Sequence, residues 1–285
     1  MSYDVYTALL KMNDNFLESS DNVHLSYDLN DPKLQEIKQK YGLDDIAGKG
    51  NDFYKAINML FWVSENCYHN GNYNFEKSYN AINLLEYSFQ KGKDFGINCV
   101  ALSTILTECL MSLGLFARTV FIMPFSPNDE DNHVVTHVYI NELKKWIMLD
   151  PTYKCYVIDK NKTSLNILEI RELLANQENI EFNKEIKYND DKREYDSNEN
   201  IEYLAKNLYY FMTYEKSCFN SEKDNRIIHI IPSVFDIKKR EILNIEYRIK
   251  KQGEKEWLKN WLENQKNNNY LFSQPSELIK NPKNK

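Results

Sequence analysis

The stretch GINCVALSTILTECLMSLGLFAR, Gly96 to Arg118, constrains the fold more than any other part of the chain. Asn98 is a residue type that caps helices, and Leu102, Ile105, Leu106, Cys109, Leu110 and Leu113 recur at helical spacing. Gly114 supplies a left-handed exit. An apolar helix of this length needs a core to bury it, and 42% hydrophobic and 13% aromatic residues can supply one. Cys99 sits in the first turn. A cysteine there is either an ordinary buried side chain or a thiolate favoured by exposed N–H groups. The helix by itself permits both.

The remaining totals exclude several classes. The 285 residues suffice for one large domain or two modest ones, and only 8 Gly and 7 Pro argue against a loop-rich chain. A net charge of -6, from 36 basic and 42 acidic residues spread along the sequence, lacks the basic footprint of a nucleic-acid binder. The N-terminal segment has no signal-peptide pattern and no apolar run could cross a bilayer, so a cytoplasmic protein without a membrane partner is expected. Cysteines 67, 99, 109, 155 and 218 are odd in number and form no C-x-x-C pair. Neither a disulfide framework nor a zinc knuckle is expected, and no cofactor is implied.

Local patterns predict helices over 31–42, opened by Asp31-Pro32, and over 51–71, capped by Asn51 or Asp52 and ended by Gly71. Another helix is expected over 78–92. The segment 116–123 reads as a strand stopped by Pro124, and 133–140 with 145–150 as an antiparallel hairpin. A further strand is expected at 154–159 and a helix at 164–177. The charged run 186–202 reads as a linker or mobile loop. Beyond it, 202–214 reads as a helix, 226–232 and 241–249 as strands, and 254–265 as a helix. Trp257 and Trp261, one turn apart, are expected to pack on the core. His69, before Asn70-Gly71, reads as a turn residue.

The hairpin carries two histidines. His133 and His137 lie four apart and share a face, while Trp146, Met148 and Asp150 alternate on the partner strand. One register places Asp150 across from His133, and another pairs it with His137. Both leave a four-residue turn, so spacing leaves the choice open.

Taken together, NCVALSTILTECLMSLGLFART, HVVTHVYI and KWIMLDPT resemble the transglutaminase-like superfamily of papain-type thiol enzymes. That family shows a Cys opening a helix that ends G-x-x-A-R, then an H-x-W-x-E-V strand, then W-x-x-L-D-P-T. Gly114, Ala117 and Arg118 match the helix exit, and Trp146, Leu149, Asp150, Pro151 and Thr152 complete the last motif. The resemblance aligns His133 with the catalytic histidine and His137 with the usual glutamate. It implies an α+β fold with a papain/transglutaminase-like core, its nucleophile helix packed on an antiparallel β-sheet. The expected organisation is an N-terminal helical extension over 1–50, a catalytic core over 51–160 and an accessory α/β region over 161–285 packed on the core.

The implied chemistry is a Cys99–His133–Asp150 triad. An ordinary thiol, with a pKa of about 8.5, is mostly protonated near neutrality. Helix N–H groups favour its anion, an imidazole takes its proton, and a carboxylate holds the imidazole. Acyl transfer on amide bonds of a peptide or protein is the expected reaction, by hydrolysis or transglutamination. Val135 and His137 depart from the family pattern and motivate the competing reading, an inactive peptide-binding module. Zinc held by Cys99, His133 and Asp150 is a third. The family's upstream oxyanion-supporting side chain has no evident counterpart, although Trp62 lies in the corresponding region. The acidic run 128–132 is read as a solvated loop or, less simply, as an attractor of cationic substrates.

Overall fold

The apolar helix is buried on every side, from Ala101 to Ser112, and not along one face only. The structure is a computed structural model that describes residues 2–18, 23–73, 77–190 and 196–283. Its first half contains α1 (Ser2–Met12), β1 (Ser26–Tyr27), α2 (Pro32–Tyr41), α3 (Leu43–Ala47), α4 (Asp52–Asn66), α5 (Ala81–Lys91) and α6 (Cys99–Ser112). The central strands β2 (Ala117–Met123), β3 (His133–Ile140), β4 (Lys145–Asp150) and β5 (Cys155–Ile158) follow. Next come α7 (Ile167–Ala175), β6 (Glu181–Phe182), α8 (Ser197–Asn207), β7 (Tyr210–Tyr214), β8 (Lys216–Ser217) and β9 (Ile227–Ile230). The described chain closes with α9 (Ile237–Gln252), α10 (Glu256–Asn267), β10 (Leu271–Phe272) and α11 (Pro275–Ile279).

This is an α+β fold built on one eight-stranded sheet, ordered β10-β9-β7-β2-β3-β4-β5-β6. All pairings are antiparallel except β10 with β9. Helix α6 packs on one face, where Val138, Ile140, Ile147 and Leu149 join the apolar side chains of α2, α4 and α5. Val120, Ile122, Val135 and Met148 point the opposite way, into a second core with residues of α1, α7 and α8. Every residue of β3 is therefore buried. Among the described residues no helix is long and apolar enough to cross a membrane.

Full burial obliges the polar residues of α6 to find partners, since an orphaned buried group costs about 1–3 kcal/mol. Ser103 donates to the Val134 carbonyl at 2.8 Å, and Thr136 donates to the Ser103 carbonyl at 3.1 Å. Glu108 accepts the backbone N–H groups of Ala81 and Asn220, each at 2.8 Å. Burial, partly offset by those two donors, pushes its carboxyl up to about 8. These bonds fix the helix rotationally against the sheet, which sets where its first turn points.

Several expectations change. Helix α4 ends at Asn66 instead of running to Gly71, because Ile97 ties the next residues to a different segment. Asn166 caps α7 where Ser164 stands closer to the start of the expected run. The segment 241–249 belongs to α9: Asp236 caps it, and Ile237, Arg240, Asn244 and Ile245 are buried at helical spacing. Conversely, 210–214 forms β7, with Tyr210 and Phe211 buried between β2 and β9. The run 186–202 is no simple linker, since Ser197 opens α8 and 186–190 pack against the site; residues 191–195 lie outside the described part. Trp257 is 51% exposed and stacks on Trp261 instead of entering the core. The β3–β4 register falls midway between the two expected, pairing His137 with Met148 and Thr136 with Leu149.

Candidate active site

The first turn of α6 is set by its cap. The Asn98 side chain accepts from the Ala101 N–H at 2.9 Å, which leaves Cys99 as the first helical residue. Two residues earlier, the Ile97 N–H donates to the Tyr68 carbonyl at 2.7 Å, and the Asn70 N–H donates back to Ile97 at 2.9 Å. This close approach depends on Gly96, which has φ +57°; a Cβ there would stand 2.6 Å from the Asn70 Cβ. His69 is thereby carried to the start of α6.

His133 begins β3 and Asp150 ends β4, so the hairpin brings the two onto the same face at its open end. His133 Nε2 lies 2.6 Å from Asp150 Oδ2, and both residues are 2% exposed. The other carboxylate oxygen accepts the Thr152 N–H at 2.9 Å. The Pro151 carbonyl in turn accepts from Ser64 Oγ of α4 at 2.8 Å, which anchors the turn after Asp150. Tyr203 and Tyr153 flank the imidazole, with ring centroids at 5.5 and 5.8 Å. Cys99, His133, His69, Asp131, Tyr153 and Tyr203 line one cleft of about 220 Å³.

Cys99 is half-buried and opens onto that cleft. Burial alone would raise its pKa, but hydrogen bonding and charge from His133 and His69 bring it down to about 6. For His133, burial disfavours the cation, and the Asp150 carboxylate together with Cys99 overcomes this and drives the imidazole pKa upward. The two shifts, the thiol down and the imidazole up, both favour a thiolate beside an imidazolium, and the two groups titrate as a coupled pair. Cys67 is pushed up to about 11, chiefly by burial, and burial also raises Cys109 and Cys155 well above the ordinary value. Cys218 is raised as well, again chiefly by burial. The arrangement at Cys99 can attack an electrophilic carbonyl, and imidazolium can return a proton to a leaving group.

His137 stands apart from this chemistry. It is fully buried, stacks on Trp146 with centroids 5.2 Å apart, and makes no well-aligned ring hydrogen bond among the described residues. Burial and the nearby Arg118 push its pKa down to about 3, against a smaller opposing effect of the Leu278 backbone. Trp62 lies away from the cleft, in an aromatic group with Tyr41 and Phe89. Among the described residues no group of three His, Cys, Asp or Glu is placed to hold a metal ion.

The acidic loop is already neutralised. Asp129 and Asp131 both pair with Lys206 of α8, while Glu130 pairs with Lys251 and Arg248 of α9. Asn244 donates to the Pro127 carbonyl at 2.7 Å, and Arg248 to that of Glu130 at 3.0 Å, so α9 also holds the loop backbone. Neither His69 nor Tyr203 stands out in the sequence as a site residue. A histidine before Asn-Gly carries a turn signal only, and Tyr203 reaches the cleft through helix packing that local pattern does not report.

With this geometry in hand, residues 41–151 match the transglutaminase-like superfamily. This segment is similar to that superfamily. The transglutaminase-like segment contains Cys99, His133 and Asp150, whereas Tyr188 and Tyr203 fall outside it. Among solved structures, a candidate cysteine protease from Cytophaga hutchinsonii is 17% identical, with a TM-score of 0.34, covering 53% of this chain and 49% of its own. A candidate protease from Parabacteroides distasonis is 13% identical, with a TM-score of 0.30, covering 56% of this chain and 30% of its own. The chain thus spans about half the length of the first and under a third of the second. No curated protein matches it in sequence.

Proposed function

We propose that this protein is a cysteine-dependent acyl-transfer enzyme that acts on amide bonds of a peptide or protein. The observation that carries the reading is the half-buried Cys99 thiol in the first turn of α6, beside a buried His133–Asp150 pair in one cleft. The Cys99 thiolate adds to the amide carbonyl, and the Cys99 N–H is placed to donate to the oxyanion that forms. Collapse of this intermediate breaks the C–N bond as imidazolium His133 hands its proton to the departing amine. A thioester remains on Cys99. Neutral His133 then takes a proton from water as its oxygen attacks, releasing the carboxylic acid and restoring the thiolate–imidazolium pair. Asp150 fixes the ring so that Nδ1 serves the sulfur and offsets its charge.

Water is favoured over an amine as second reactant. The carboxylates beside the cleft, which could attract a cationic acceptor, already pair with Lys206, Arg248 and Lys251. In this reading residues 161–285 are an accessory region that completes one wall of the cleft. A panel of fluorogenic peptide and glutamine amides, assayed with and without a primary amine, tests the proposal. Release of the amine product by wild type and not by Cys99→Ala is expected, with little amine incorporation. Equal inactivity of the two proteins across the panel, with no acyl adduct in intact mass, would sink it.

A further inference from the structure

His69 lines the cleft with Cys99, and what holds it there is distant in sequence. Its N–H donates to Asn189 Oδ1 at 2.7 Å, and Asn189 Nδ2 donates to the His69 carbonyl at 3.2 Å. The Tyr188 hydroxyl lies 2.9 Å from Nδ1 of the same imidazole, and the two rings meet edge to face at 5.6 Å. The segment carrying Tyr188 and Asn189 is itself fastened, since the Lys187 N–H donates to the Tyr153 carbonyl at 3.0 Å. Asp190 pairs with Lys93 and Lys187. Asn189 adopts φ +49°, a left-handed conformation that Asn tolerates better than most residues. The backbone N–H, the backbone carbonyl and one ring nitrogen of His69 are therefore all specified by two consecutive residues about 120 positions away. A turn histidine with no role at the cleft does not need such specification.

We propose that His69 is a second working imidazole at Cys99, and that Tyr188 and Asn189 are positioning residues that fix its place and tautomer. With the Tyr188 hydroxyl donating to Nδ1, the neutral ring carries its proton on Nε2. That N–H is the donor left to face the sulfur, where it stabilises the thiolate while His133 keeps its proton for the leaving group. Both histidines line the cleft with Cys99, and both act to lower its pKa. The inference rests on Cys99 being the nucleophile, and it makes the segment downstream of the superfamily match part of the working site.

Two measurements on the full chain test it. Nitrogen-15 spectra of histidine-labelled protein, with the His69 signal assigned through His69→Gln, should show the Nε2–H tautomer in wild type and a tautomer mixture in Tyr188→Phe. The pH profile of Cys99 alkylation by iodoacetamide should shift upward by about one pH unit in His69→Ala, the scale of one donor to a charged group. Tyr188→Phe and Asn189→Gly, the latter keeping the left-handed backbone, should shift it partway. His69→Gln, which retains an N–H donor, should restore most of the wild-type profile. In a His69→Ala background Tyr188→Phe should add nothing. An Nδ1–H tautomer in wild type, an unshifted profile in His69→Ala, or a full Tyr188→Phe shift without His69 would overturn the assignment. Should wild-type Cys99 fail to react below neutral pH, the nucleophile reading fails instead, and the tautomer spectra still decide whether Tyr188 and Asn189 set the ring.

Discussion

The first residue of strand β3 and its middle carry the same side chain in opposite conditions. At the start, His133 meets a carboxylate, a thiol and a cleft. Four residues on, His137 faces the same way but is sealed against Trp146 and near Arg118, without a carboxylate. Burial disfavours the cation at both positions. Only His133 has a countercharge to reverse that effect, so its pKa moves up while that of His137 moves down to about 3. A histidine's capacity for proton transfer here is therefore set by the groups placed beside it, because sheet face and burial are nearly equal at the two positions.

Substitutions test this contrast. The largest effect is expected from Cys99→Ala, which should abolish acyl-enzyme formation in intact-mass measurements. His133→Gln should follow, with turnover of a peptide amide lowered about 10²–10⁴-fold, the range for losing a general acid–base group. The pH dependence comes next. Because the Cys99 pKa is lowered to about 6, the reactive thiolate is present above that pH and lost below it. The ratio kcat/KM should fall about tenfold between pH 7 and pH 5, measured with an uncharged substrate. The smallest effect is expected from His137→Phe. Exchanging an unsatisfied buried polar ring for an apolar one should leave turnover within about twofold and change stability in urea by no more than about 1 kcal/mol. A His137→Phe protein as impaired as His133→Gln would erase the distinction.

The sequence made the helix start and the hairpin legible for local reasons. Asn98 is a strong cap, Gly114 takes φ +83° at the exit, and the β-branched runs flank a four-residue turn. The pairing of His133 with Asp150 was less legible, since alternation specifies a face but not a register. Burial of β3 on both faces also removes the polar alternation that would have narrowed the choice. The segment 241–249 of α9 reads as a strand because its Ile and Tyr side chains favour strands, and only the burial of Ile237, Arg240, Asn244 and Ile245 reveals the helical period. His69 was invisible as a site residue for a deeper reason. Its meaning comes from Tyr188 and Asn189, and no window of local sequence contains both partners.

The most direct test of the whole account is the rate of iodoacetamide alkylation at each cysteine of the wild-type protein as a function of pH, read by peptide mass. Cys99 should react with a titration midpoint near pH 6 while Cys67, Cys109 and Cys155 stay inert in the folded state. A Cys99 rate that stays low through pH 7 and climbs only toward the ordinary thiol range would contradict it.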